Sequence, residues 1–156
     1  MKRNIQRTSL MFISLLALLA SLVPAAHATY CSTATVAGSW GFTLTGTILL
    51  PTGAVPAAAV GRLTADIYGN VTGTEARNVA GGYGDETIIG SWKINPDCTG
   101  SAAADFYDES GNKVRTSVLT IVFDNNAKEV RMLQKSLTLP NGTELPVVIT
   151  VEAGKQ

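Results

Sequence analysis

Among its 156 residues the chain has a single histidine, His27, and it sits at the end of a leader-like segment. Lys2, Arg3 and Arg7 make a positive start, and an apolar run extends from Leu10 to Val23. Ala26-His27-Ala28 then has the small-x-small pattern of a signal-peptidase site. Cleavage after Ala28 would leave a protein with no imidazole. That excludes Ser-His-Asp and Cys-His catalysis and removes the commonest transition-metal ligand. Long apolar runs are also missing. The stretch from Leu10 to Val23 is shorter than the ~20 residues that cross a bilayer as a helix, and nothing after it is longer. No integral membrane span is expected, and the destination is the periplasm or the exterior.

Basic clusters are absent. Removing residues 1–28 takes away three of the 12 Lys and Arg and none of the 12 Asp and Glu, so the remainder carries a net charge of −3. A mildly acidic surface argues against nucleic acid and anionic membranes as partners. The glycine-rich stretch Ala80 to Gly84 has no following Lys-Ser/Thr, so it is no phosphate loop. Asp105, Asp108 and Glu109 cluster near one turn without the oxygen pattern of a calcium loop, and no metal or cofactor is expected. No Asp or Glu pair stands out for glycoside hydrolysis, and no catalytic residue can be named. Cys-x-x-Cys spacing is absent, which argues against redox chemistry. Cys31 and Cys98 are expected to form one structural disulfide after export.

What the chain does have is β-branched residues. Thr, Val and Ile supply 36 of the 128 residues after Ala28, types that favour pleated, half-buried backbone. Turn signals recur every ~10 residues, and no stretch shows a helical apolar period. Eight strands are predicted, over 38–50, 58–68, 71–79, 86–95, 101–107, 113–124, 129–139 and 144–152. The sixth, through Val118-Leu119-Thr120-Ile121-Val122-Phe123, is apolar on both faces and is expected to be the most buried. Eight strands with short connections suit an all-β fold, an eight-stranded antiparallel up-and-down barrel, whose closure leaves no exposed edge. A two-sheet β-sandwich fits the same strand list. The predicted organisation is a leader (1–28), a disulfide-latched segment (29–37) and a barrel domain (38–156).

Alternation places Phe42, Leu44, Ile48, Leu63, Ile67, Ile88, Trp92, Ile94, Leu119, Ile121 and Phe123 on the inner face, with Val147, Ile149 and Val151 on the last strand. These side chains either fill the barrel or line a cavity. Topology puts Cys31, before the first strand, and Cys98, after the fourth, at the same end. A bridge between them would draw residues 29–37 across that end as a floor. The opposite mouth would carry the connections 51–57, 80–85, 109–112 and 140–143. There Tyr83 reads either as a lid or as an anchor of a surface loop.

Three segments carry a family resemblance. Gly38-Ser39-Trp40-Gly41-Phe42 resembles a G-x-aromatic-x-aromatic first strand. Val60-Gly61-Arg62-Leu63-Thr64-Ala65-Asp66, followed by Gly69-Asn70-Val71-Thr72-Gly73, resembles a "vGxltfDgxGnvtG" segment. Gly90 to Gly100, with Asp97-Cys98-Thr99-Gly100, resembles a third. Together they are similar to secreted bacterial β-barrel proteins of unknown function whose shape is like the allene oxide cyclase-like and lipocalin-like barrel. The resemblance implies a barrel and export, and no reaction. Three functions follow as expectations. One is a secreted barrel binding a small apolar ligand, with Trp92, Tyr83, Phe42 and Phe123 as the contact residues. Another is an isomerase-like enzyme that confines its substrate, for which Glu75 or Arg77 would supply an interior polar group. The last is an envelope structural or adhesion subunit.

Overall fold

The structure, a computed structural model, describes residues 30–156. The expected leader, residues 1–28, lies outside the described residues. A one-turn helix, α1 (Thr33–Val36), precedes nine strands: β1 (Gly38–Leu50), β2 (Gly53–Ala65), β3 (Asn70–Val79), β4 (Gly82–Ile94), β5 (Thr99–Tyr107), β6 (Lys113–Asp124), β7 (Glu129–Thr138), β8 (Glu144–Leu145) and β9 (Val147–Lys155). Strands β1 to β7 pair antiparallel in sequence order, and β9 pairs with both β7 and β1. The result is one closed eight-stranded antiparallel barrel, with β8 as a two-residue addition on β7. A single continuous sheet replaces the two layers of a sandwich.

Four connections share one turn geometry. In each, the residue entering the turn donates its N–H to the carbonyl four positions on (Asp66 to Asn70, Asn95 to Thr99, Asp108 to Asn112, Leu139 to Thr143), and its own carbonyl accepts from the N–H three positions on. This is a three-residue hairpin whose last loop residue takes a left-handed conformation. Glycine occupies that position three times, as Gly69, Gly111 and Gly142 (φ +91°, +80°, +85°), and Cys98 occupies it once at φ +67°. At two of these turns an aspartate clamps the loop. Asp66 accepts from the N–H groups of Tyr68 and Asn70 and from the Asn70 side chain, and Asp108 does the same with Ser110 and Asn112. These hydrogen bonds hold both carboxyls below the ordinary aspartate range.

Strand bounds differ from expectation mainly at the mouth. The predicted loop 51–57 shrinks to Pro51-Thr52, because β2 starts at Gly53. The predicted loop 80–85 shrinks to Ala80-Gly81, both at positive φ, and Tyr83 becomes part of β4 opposite Asn78. Ile67, expected inside, lies in the turn after β2 and is 56% exposed. Pro146 has no N–H to donate and interrupts the last predicted strand, which resumes as β9 and runs on to Lys155.

The chain before β1 floors one end of the barrel. Cys31 is bonded to Cys98, and their Cα atoms are 4.9 Å apart. Ser32 caps α1: its Oγ accepts from the Thr35 N–H, and its own N–H donates to Thr35 Oγ1. Val36 and Cys31 are buried, and the Val36 carbonyl accepts from Trp40 Nε1 at 3.0 Å. The Thr35 carbonyl accepts from Lys155 Nζ on the far strand. Above this floor Trp40, Trp92 and Phe123 meet edge to face, with ring centroids 5.5 to 6.0 Å apart. The base of the barrel is therefore packed, and β6 contributes the fully buried Ile121; its outer face is exposed at Val122, so β6 is buried on one face only and not on both as expected.

Candidate functional site

Above the aromatic floor the interior is hollow. A cavity of about 190 Å³ runs up the barrel, walled by side chains from β1 to β7, β8 and β9. Its existence follows from two strands that turn small residues inward. Ala57 and Ala59 line it from β2, and Ala102 and Ala104 line it from β5. The rest of the wall carries the bulky Leu44, Ile88, Leu119, Met132 and Ile149. A barrel of eight strands has an interior just wide enough for side chains to fill. Alanine methyl groups at these positions on two of its strands leave a void. A β-bulge in β7, between Gln134 and Ser136, switches which side chains point inward, so Gln134 and Leu137 both reach the cavity.

The wall is mostly apolar, with one charged cluster. Glu75 on β3 lies directly across from Glu86 on β4, and they are 3% and 5% exposed. Two like charges side by side in a barrel need cations between them. Arg115, reaching in from β6, supplies one. Its Nη2 donates to Glu75 Oε1 at 2.6 Å, and its Nη1 donates to Glu86 Oε2. Arg77 adds the second through Nε to Glu86 Oε1. The Arg115 guanidinium also lies 3.7 Å over the Phe106 ring, which fixes its plane. The four charges sum to zero when both carboxyls are ionised. Burial, assisted by the neighbouring Glu86, still pushes the Glu75 carboxyl above the ordinary glutamate range despite Arg115. Beyond this cluster Gln134 Nε2 donates to Ser117 Oγ at 3.0 Å and to the Ser136 carbonyl, so this second polar pair is satisfied internally.

Of the expected contact residues, Phe42 and Trp92 line the cavity. Phe123 is buried lower down, in the aromatic floor. Tyr83 does not reach the interior. It stands on the outer face of β4, 69% exposed, and its hydroxyl donates to Asp85. A two-residue turn leaves no loop from which it could act as a lid. Glu75 and Arg77, the polar groups expected inside, are both on the wall, and the structure adds Glu86 and Arg115. Glu86 was within reach of the alternation that placed Ile88 and Trp92, because it is the next inward position on β4. Arg115 was also discoverable, two residues before Ser117 on the face that carries Leu119 and Ile121. Nothing local marked the small residues of β2 and β5 as a void.

Among the described residues no three His, Cys, Asp or Glu side chains gather where they could hold a metal ion, and no helix is long and apolar enough to cross a membrane. Neither a protein-family model nor a curated protein matches the chain.

Proposed function

We propose that this protein binds a small, mainly apolar molecule inside its barrel after export from the cytoplasm. The observation that carries the reading is the 190 Å³ cavity between a packed floor and the mouth. An apolar cavity of ~150 Å³ takes up benzene, so this one suits a molecule of roughly eight non-hydrogen atoms. An interior binder gains from such a void, whereas a purely structural barrel would gain stability by filling it. The leader-like segment at residues 1–28 and the Cys31–Cys98 bridge support export to an oxidising compartment. The resemblance to allene oxide cyclase-like and lipocalin-like barrels fits the same reading.

An isomerase-like activity has one specific observation in its favour, the buried Glu75 carboxyl raised in pKa on the cavity wall. Binding requires only the void, which is why it stands first. Native mass spectrometry of protein purified from the envelope of its own cells tests it. The expected result is a retained adduct of one small organic molecule, released on unfolding. Protein that carries no adduct, and shows no change in unfolding temperature across a panel of small apolar compounds, would overturn the reading.

A further inference from the structure

Among the described residues only two buried side-chain polar atoms lack a hydrogen-bond partner, Glu75 Oε2 and Trp92 Nε1, and both residues line the cavity. Buried polar groups are almost always satisfied, so two orphans on one wall mark where something else binds. They are far apart. Glu75 lies opposite Glu86, and Trp92 is six residues further along β4, ~20 Å of strand. A ligand that fits the void can meet one of them with its polar group. The carboxylate oxygen is the more costly atom to leave without a hydrogen bond, because a buried oxygen of an ionised group loses more solvation than an indole N–H, even with Arg115 on the other oxygen.

We propose that Glu75 Oε2 is the anchor for the hydroxyl group of an otherwise apolar alcohol or phenol. This inference rests on the interior-binding reading and specifies its ligand. The side chains around the anchor decide the chemistry. Glu75 Oε1 is taken by Arg115, and both oxygens of Glu86 are taken by Arg115 and Arg77. Oε2 is thus the free acceptor of the cluster. Two glutamates and two arginines already balance, so an ammonium or carboxylate ligand would add an uncompensated charge in a low-dielectric interior. A carboxylate would also set its oxygens against those of Glu75. A neutral hydroxyl avoids both penalties, donating to the carboxylate while its hydrocarbon lies along Leu44, Ile88 and Leu119 toward Trp92.

Trp92 provides the readout, since Trp40 and Trp92 are the chain's two tryptophans and Trp92 lines the cavity. Intrinsic fluorescence is titrated at pH 8 with 1-heptanol, with its isomer hexyl methyl ether, and with heptylamine and heptanoate. Heptanol is expected to bind at least tenfold more tightly than the ether, the size of effect for a hydrogen bond to a charged group, and more tightly than either ion. Glu75→Met is expected to bring the alcohol-to-ether ratio close to one, with folding checked by far-ultraviolet circular dichroism. If that variant does not fold, the ratio in the native protein decides by itself. Equal binding of the two isomers would overturn the hydroxyl assignment and leave interior binding standing. Tighter binding of heptylamine or heptanoate would overturn the neutral-ligand argument, and a folded Glu75→Met that keeps the native ratio would overturn the choice of Glu75. If none of the four compounds binds, the hydroxyl assignment falls, and the interior-binding reading is decided separately by the retained adduct and the compound panel.

Discussion

Glu75 shows how much one side chain can carry in a closed barrel. Its carboxyl is forced inward by strand alternation between Gly73 and Arg77, and it is nearly out of reach of water. Burial favours the protonated acid, Arg115 opposes this, and Glu86 reinforces it, with burial the largest contribution. The charged groups facing Glu75 are Arg77 on its own strand, Glu86 on β4 and Arg115 on β6. A glutamate whose folded pKa lies above its unfolded value stabilises the fold fully below the unfolded value. That contribution is lost as pH rises through the folded pKa. Native protein is therefore expected to lose stability relative to Glu75→Gln as pH rises from ~4 toward neutrality, since the amide has no proton to give up. Thermal unfolding of both proteins across that range checks this, and a gap that stays constant or moves the other way would show that Arg115 dominates. The inward position of Glu75 was readable from the polar third strand, but its partners were not. Arg115 reaches it from forty residues away, a contact that depends on how β6 faces β3 across the interior rather than on any local spacing.

Elements were legible where alternating apolar residues were bulky and obscure where they were small. β1 and β6 match their predicted bounds because Phe42, Leu44 and Ile48, or Leu119, Ile121 and Phe123, mark the inner face. β2 and β4 reach several residues nearer the mouth than expected, through Gly53-Ala54-Val55-Pro56-Ala57 and Gly82-Tyr83-Gly84. Glycine, alanine and proline carry little strand preference, and pairing with a neighbour supplies what the residues lack. The turns show the reverse dependence, because local chemistry sets their geometry. Three of the four shared turns place glycine at the left-handed position, where an L side chain costs ~1–2 kcal/mol. Cys98 holds the fourth position because its sulfur must reach Cys31, so the bridge sustains an unfavourable backbone conformation. Once the bridge is gone, glycine is the better residue there. The pair Cys31→Ala/Cys98→Gly is expected to be more stable than Cys31→Ala/Cys98→Ala by about 1 kcal/mol in urea unfolding. Equal stabilities would mean that this turn relaxes to another geometry without the disulfide.

At the scale of the whole molecule the barrel is two structures stacked end to end. The base is sealed by α1, the disulfide and three interlocked aromatic rings, and the bridge closes a loop of 67 residues, worth ~4 kcal/mol in the chain-entropy model. The upper part forgoes packing around a void. Composition pointed to a barrel with bulky inward residues and left open whether its centre was filled. The answer lies in two strands contributing inward alanines at once, and neither strand looks unusual alone. This division allows stability and binding to be set against each other. Ala59 faces the cavity from β2 and is buried, beside Leu44 on β1 and Arg77 on β3. Ala59→Leu places three more carbons in the void without touching the floor. Cavity filling of this kind commonly adds about 0.5–2 kcal/mol, so the unfolding temperature of the ligand-free protein is expected to rise. Uptake of 1-heptanol, followed by Trp92 fluorescence, is expected to weaken at least tenfold in the same variant, because the added side chain takes the volume the ligand needs. A variant that loses stability, as overpacked cores do, and still binds would mean that the space beside Ala59 is not the one that serves the ligand.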